Sequence, residues 1–146
     1  QLMLNDAVIL RGALTSPQIA EELKKAHIFC LASQKASSGD VEGIPNAIKE
    51  AMSIGIPIVT TLHAGIPEIM KHLETGYLTT EKDVLALARG FLYYIENPGV
   101  WKSITRKARA VIEEKFDFKK QIKEQERLYS LIQSMKTDSR SSERLE

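Results

Sequence analysis

The sequence predicts an α/β fold: a parallel sheet with helices on both faces, followed by a run of C-terminal helices. Through Thr79, short apolar β-prone runs alternate with amphipathic helical patterns, the mark of strand–helix–strand units. From Glu81 onward only helical periodicity remains. With 43% apolar residues in a chain of 146, there is material for one domain with its own core.

Taken in order, Ala7–Leu10 is an apolar run closed by Arg11-Gly12 and is expected to be a buried strand. Ser16 is placed as the cap of a helix with Pro17 at its first position, and Ile19, Ala20, Leu23 and Ala26 form its apolar face. Ile28–Ala32 is a second strand, and residues 33–41 have loop composition. Pro45 is set at the first position of a helix, where its missing N–H costs nothing, and Gly55 stops that helix. Pro57–Thr61 is a third strand, Pro67 opens a short helix, and Gly76–Thr79 is a last short strand. Three further helices follow, with apolar stripes at Val84, Leu87, Ala88, Phe91, Leu92 and Ile95, then Trp101, Ile104, Ala108, Val111 and Ile112, then Phe118, Ile122, Tyr129 and Ile132. The domain is expected over 1–135, with the helices from about 81, and 136–146 as a disordered polar tail.

Charge narrows the function classes. Twenty Lys/Arg against nineteen Asp/Glu give a net charge of +1, so no overall field calls for nucleic acid. The basic excess lies in the C-terminal helices, where it alternates with Glu and Asp as on a solvated face; weak peripheral contact with a membrane is the further option. One cysteine excludes an internal disulfide, and no run approaches the roughly 18 apolar residues of a membrane span. The expectation is a cytoplasmic protein, with the inner face of the membrane as its alternative setting.

The chemistry concentrates in residues 42–55. Glu42 stands in a Gly/Pro turn and Glu50 lies inside the helix which that turn opens. Ala47, Ile48, Ala51 and Met52 form the apolar stripe, so Asn46 and Glu50, one turn apart, share a different face. Free N–H groups and the positive end of the helix dipole would meet an anion at the turn, with a carboxylate one turn beyond. A phosphate at the turn and a diol over Glu50 make a nucleotide-shaped site. In a parallel sheet, ligands sit beyond the carboxyl ends of the strands, where this turn and the 62–67 loop both emerge.

Glu42-Gly43-Ile44-Pro45, then Glu50-Ala51-Met52, Gly55, Pro57, Val59 and Thr61, then His63 and Gly65-Ile66-Pro67-Glu68, resemble the donor half of retaining GT-B glycosyltransferases (glycosyl transferases group 1, family 4 type), the exopolysaccharide members above all. The resemblance covers roughly residues 7 to 130. It implies a Rossmann-like sheet, partial relative to the family's C-terminal domain, and transfer of a hexose-type sugar from a nucleoside-diphosphate sugar to a glycan or lipid-linked acceptor in surface polysaccharide synthesis. Glu50 would take the ribose. Glu42 would be the catalytic carboxylate facing the transferred sugar. The backbone at Gly43, Ile44, Pro45, Asn46 and Ala47 would hold the sugar and diphosphate, and Thr61, His63, Gly65 and Glu68 are candidates for the pocket rim. No cofactor is expected beyond the donor itself, and no metal: Asp40-Val41-Glu42 only loosely matches a cation-binding acid pair, and no other ligand cluster supports it.

Ala7–Leu10 would be the third strand of the family's donor domain, so the resemblance further implies an acceptor-binding domain, or a partner chain, outside this sequence. Family members also bring an Arg and a Lys to the diphosphate from that outside part. The chain alone is therefore expected to be incomplete and inactive. A non-catalytic nucleotide-sugar-binding subunit that needs a partner is the alternative.

Overall fold

A computed structural model of the chain describes residues 7–36 and 43–142, with side chains described through residue 135. The elements run α1 (Ser16–Lys25), β1 (Phe29–Leu31), α2 (Asn46–Ile54), β2 (Ile58–Thr61), α3 (Ile66–Ile69), β3 (Tyr77–Thr79), α4 (Val84–Glu96), a 3₁₀ turn (Pro98–Val100), α5 (Trp101–Lys115) and α6 (Phe118–Ser142). The three strands form a parallel sheet in the order β1-β2-β3. Cys30 pairs with Val59 and Thr60 with Leu78 in the register.

Alternation along β2 splits the core between the two faces. Ile58 packs with Ile48, Ala51 and Met52 of α2, Ile66 and Ile69 of α3 and Ala108 of α5. Val59 turns the other way, to Tyr94 of α4 and Ile104. Helices thus cover both faces, as the strand–helix alternation predicts. The sheet also closes its carboxyl edge with side chains, since Thr60 Oγ1 donates to Leu31 O at 2.7 Å and Thr61 Oγ1 to Ser33 O at 2.5 Å.

Four expectations need correction. The strand over Ala7–Leu10 does not form: residues 8–13 carry no regular structure and Leu10 is 92% exposed. β-prone side chains make a strand only where a neighbour takes their backbone N–H and C=O groups, and none of the described strands pairs with this run. Second, α1 is capped one residue earlier than expected, by Thr15; Gln18 Oε1 accepts from the Thr15 amide at 2.8 Å and from its hydroxyl at 2.9 Å.

Third, α4 presents a different face from the one its apolar stripe suggests. Gly90 and Tyr94 are buried while Val84 is 75% and Ile95 63% exposed. A Cβ at Gly90 would lie 2.7 Å from Val59 Cγ1 and 2.8 Å from Tyr77 Cδ1, so the missing side chain lets the helix backbone settle on the sheet. Fourth, α6 buries nothing: every side chain from Phe118 to Met135 is exposed, including Tyr129 and Ile132. Residues 136–142 continue the helix to Ser142. That stretch holds no Gly or Pro to end a helix. Among the described residues no helix is long and apolar enough to cross a membrane.

Candidate functional site

The site is built on α2. Pro45 stands just before the helix as its cap, not as its first residue, with φ −59° and ψ 131°. Its carbonyl accepts from the amides of Ile48 at 3.2 Å and Lys49 at 3.4 Å. The amides of Asn46 and Ala47, one step earlier, donate to no described residue. They are the first N–H groups of the helix, where the dipole is positive and an anion is favoured. At the far end Gly55 closes α2 in the left-handed conformation, φ 88°, with its amide on Ala51 O at 3.0 Å.

Packing fixes which way α2 faces. Ile48, Ala51 and Met52 are fully buried, and Asn46 and Glu50 are exposed. Rolling Glu50 inward would expose Ile48 and Met52, at a cost of about 1.5–3 kcal/mol for each side chain. Glu50 forms no ion pair among the described residues. Lys49, its neighbour in sequence, instead places Nζ 5.3 Å from the Phe116 ring centroid. Asn46 and Glu50 line one open groove of about 560 Å³ between α1, α2 and the end of α5, with Ser16, Ser53 and Phe116 on its walls. No local pattern marks Phe116, because it reaches the groove only through the packing of α5 on α2.

The second loop reaches α2 through Gly65. Its amide donates to Gly43 O at 3.2 Å, and a Cβ there would stand 2.7 Å from Ile44 Cγ1 and 3.3 Å from the Gly43 carbonyl. This contact holds the turn before α2. Gly65 has φ −78°, which any residue adopts, so Gly65→Ala strains contacts and not its own backbone. Gly65→Ala should push the Gly43–Ile44 turn outward and weaken nucleoside diphosphate binding roughly tenfold. Calorimetric titration checks it; native affinity in the variant would show that the turn tolerates the shift.

The other rim candidates are placed differently. His63 is buried, and its Nδ1 lies 2.6 Å from Glu81 Oε1. Thr61 spends its hydroxyl on Ser33 O and lines a separate pocket of about 190 Å³ with Gln34, Thr80 and Asp83, on the α4 side of the sheet. Glu68 is exposed on α3 and borders a small cavity with Lys71, Glu74 and Lys115, beside α5. The structure therefore brings Gly43, Ile44, Asn46, Ala47, Glu50 and Gly65 together and leaves Thr61 and Glu68 apart. Glu42 and the Asp40-Val41-Glu42 acid pair lie outside the described residues, and no group of three or more metal-ligating side chains occurs among those described.

No local pattern in the sequence links Glu81 to His63, since 18 residues separate them. The bond from His63, and then the Lys35 amide at 3.0 Å on its other oxygen, hold the Glu81 carboxyl below the usual carboxylate range. A carboxyl depressed in the folded state adds stability that is complete above its unfolded pKa and is lost as pH falls through the folded one. The gap in melting temperature between native protein and Glu81→Gln should therefore narrow from neutral pH into the acid range. A constant gap across that titration would mean that Glu81 does not supply the pH dependence.

Residues 1–114 match the family model described as glycosyl transferases group 1. Among relatives, the amylovoran biosynthesis glycosyltransferase AmsK of Erwinia amylovora is 40% identical over 114 residues, covering 78% of this chain and 28% of that protein. WcaL of Escherichia coli, a protein named for colanic acid biosynthesis, is 37% identical over 136 residues, covering 92% of this chain and 33% of its own length. The chain thus spans about a third of the length of these relatives. Among solved structures, sucrose-phosphate synthase from Thermosynechococcus elongatus superposes with a TM-score of 0.77 at 20% identity, over 90% of this chain and 32% of that one. Anabaena HepE, crystallised with UDP-glucose, gives 0.65 at 24% identity, over 80% of this chain and 30% of that one. At such identities the likeness carries the fold alone. The family match over residues 1–114 decides the assignment: this chain belongs to the glycosyl transferases group 1 family.

Proposed function

We propose that this chain is the donor-binding half of a retaining glycosyltransferase, which moves a sugar from a nucleoside-diphosphate sugar to a glycan or lipid-linked acceptor in surface polysaccharide synthesis. The observation that carries this reading is the arrangement on α2. The amides of Asn46 and Ala47 at the helix start donate to no described residue, and Glu50, one turn on, is exposed, forms no ion pair among the described residues and lines one groove with Asn46. The amides of Asn46 and Ala47 receive the diphosphate, and Glu50 accepts from the two ribose hydroxyls. As the sugar leaves, negative charge gathers on the diphosphate, so aligned N–H groups stabilise the departing state more than the bound donor.

Glu42, eight positions before Glu50 and next to Gly43, takes the role of the carboxylate facing the sugar. The names of the relatives, both drawn from polysaccharide biosynthesis, support the substrate class. The acceptor is bound by a further domain or partner chain, and the setting is cytoplasmic. Titrating the folded protein with UDP, GDP and ADP tests the reading, with saturable binding of at least one of them expected. No binding at millimolar ligand would overturn it.

A further inference from the structure

We infer that Glu81, acting through His63, is a positioning residue for the donor site, an inference that rests on the donor-binding reading of α2. Glu81 lies at the carboxyl end of β3, two residues beyond its last residue, and its two oxygens reach in different directions. Oε1 meets Nδ1 of the buried His63 ring at 2.6 Å, and Oε2 accepts from the Lys35 amide at 3.0 Å. One carboxylate therefore ties together the loops that leave all three strands: Lys35 after β1, His63 after β2 and Glu81 itself after β3.

The tie continues to α2 through backbone bonds. His63 sits in a tight turn, with its amide on Thr61 O at 2.9 Å and its carbonyl accepting from Ile66 at 3.0 Å. Ala64 completes that turn at φ 48°, a left-handed conformation in which a non-glycine residue is held by its surroundings. Gly65, the next residue, donates to Gly43 O at 3.2 Å and packs against Ile44. The path from the Glu81 carboxylate to the turn that opens α2 thus contains one side-chain bond, one strained turn and one backbone bond. Glu81 does not line the groove of Glu50. Its effect on the donor is to fix where the amide cradle stands, and a shift of about 1 Å in such a cradle lowers efficiency by up to roughly 100-fold.

The experiment compares Glu81→Ala, His63→Ala and His63→Asn with native protein, reading nucleoside diphosphate affinity by calorimetry and thermal stability in parallel. An asparagine amide can stand where Nδ1 stands and keep a bond to Glu81. The expected result is a loss of roughly 10- to 100-fold in affinity for both alanine variants, no further loss when the two are combined, and recovery of most of it in His63→Asn. Native affinity in a folded Glu81→Ala protein, with Glu50→Ala still defective, overturns the positioning role and leaves the donor site standing. If Glu81→Ala does not fold, the two His63 variants decide: equal losses in alanine and asparagine overturn the inference. Absence of binding by the native protein overturns the donor reading and this inference together.

Discussion

Replacing Glu50 by alanine should weaken nucleoside diphosphate binding by roughly 100-fold and leave the fold intact. Two charge-assisted hydrogen bonds from a vicinal diol are worth about 3 kcal/mol over a solvated carboxylate, and each 1.4 kcal/mol is a factor of ten. Glu50 is exposed on α2 and joined to no described residue by an ion pair, so its removal breaks no packing. Melting temperature should therefore stay close to native while affinity drops. Glu42→Ala should behave otherwise: little change with the bare nucleoside diphosphate, and a clear loss once the sugar is attached. Equal losses in both variants against the bare nucleotide would refute this division of labour.

Tyr94→Ala should have the largest effect on stability, about 3–5 kcal/mol, the range for truncating a large buried aromatic. Tyr94 is fully buried between α4 and the sheet, and its hydroxyl donates to Ile58 O at 3.3 Å. Burial raises its pKa well above the ordinary phenol value, so the group remains a neutral donor. Trp101 Nε1 donates to Tyr94 O at 2.8 Å, which ties the start of α5 to the end of α4. Tyr94→Phe keeps the volume and loses only the long hydrogen bond, so about 1 kcal/mol is expected. For a chain of this size each 1 kcal/mol moves the melting temperature by roughly 2–4 °C or slightly more, which separates the two variants in a single thermal scan. Similar melting points for the two would show that the ring is not what holds α4 to the sheet.

The effects of Tyr94 and Glu50 rest on information of different kinds. The helix at 46–54 was legible because its signals are local: Pro45 before it, Gly55 after it and an apolar stripe that forces Asn46 and Glu50 to the opposite side. The three strands were legible for the same reason, as apolar runs between turn residues. Ala7–Leu10 carried an equally good local signal and forms no strand, because pairing needs a second strand that local pattern does not supply.

The inward face of α4 was not legible either. Its helix is apolar nearly all round, and only the close approach of Gly90 to Val59 and Tyr77 selects the buried side.

By itself, the sequence determined the order of elements, the parallel α/β class and the outward placement of Asn46 and Glu50, since helical and strand periods depend on neighbours a few residues away. Tertiary structure alone decided that Gly65 buttresses the turn at Gly43, that Phe116 closes the groove, and that Glu81 joins His63 and Lys35. Those contacts join residues from 18 apart, His63 and Glu81, to 67 apart, Lys49 and Phe116, and no period in the sequence reaches that far. The Gly65 and Glu81 contacts exist because the parallel sheet brings the carboxyl ends of its strands to one edge, and the Phe116 contact exists because α5 packs on α2.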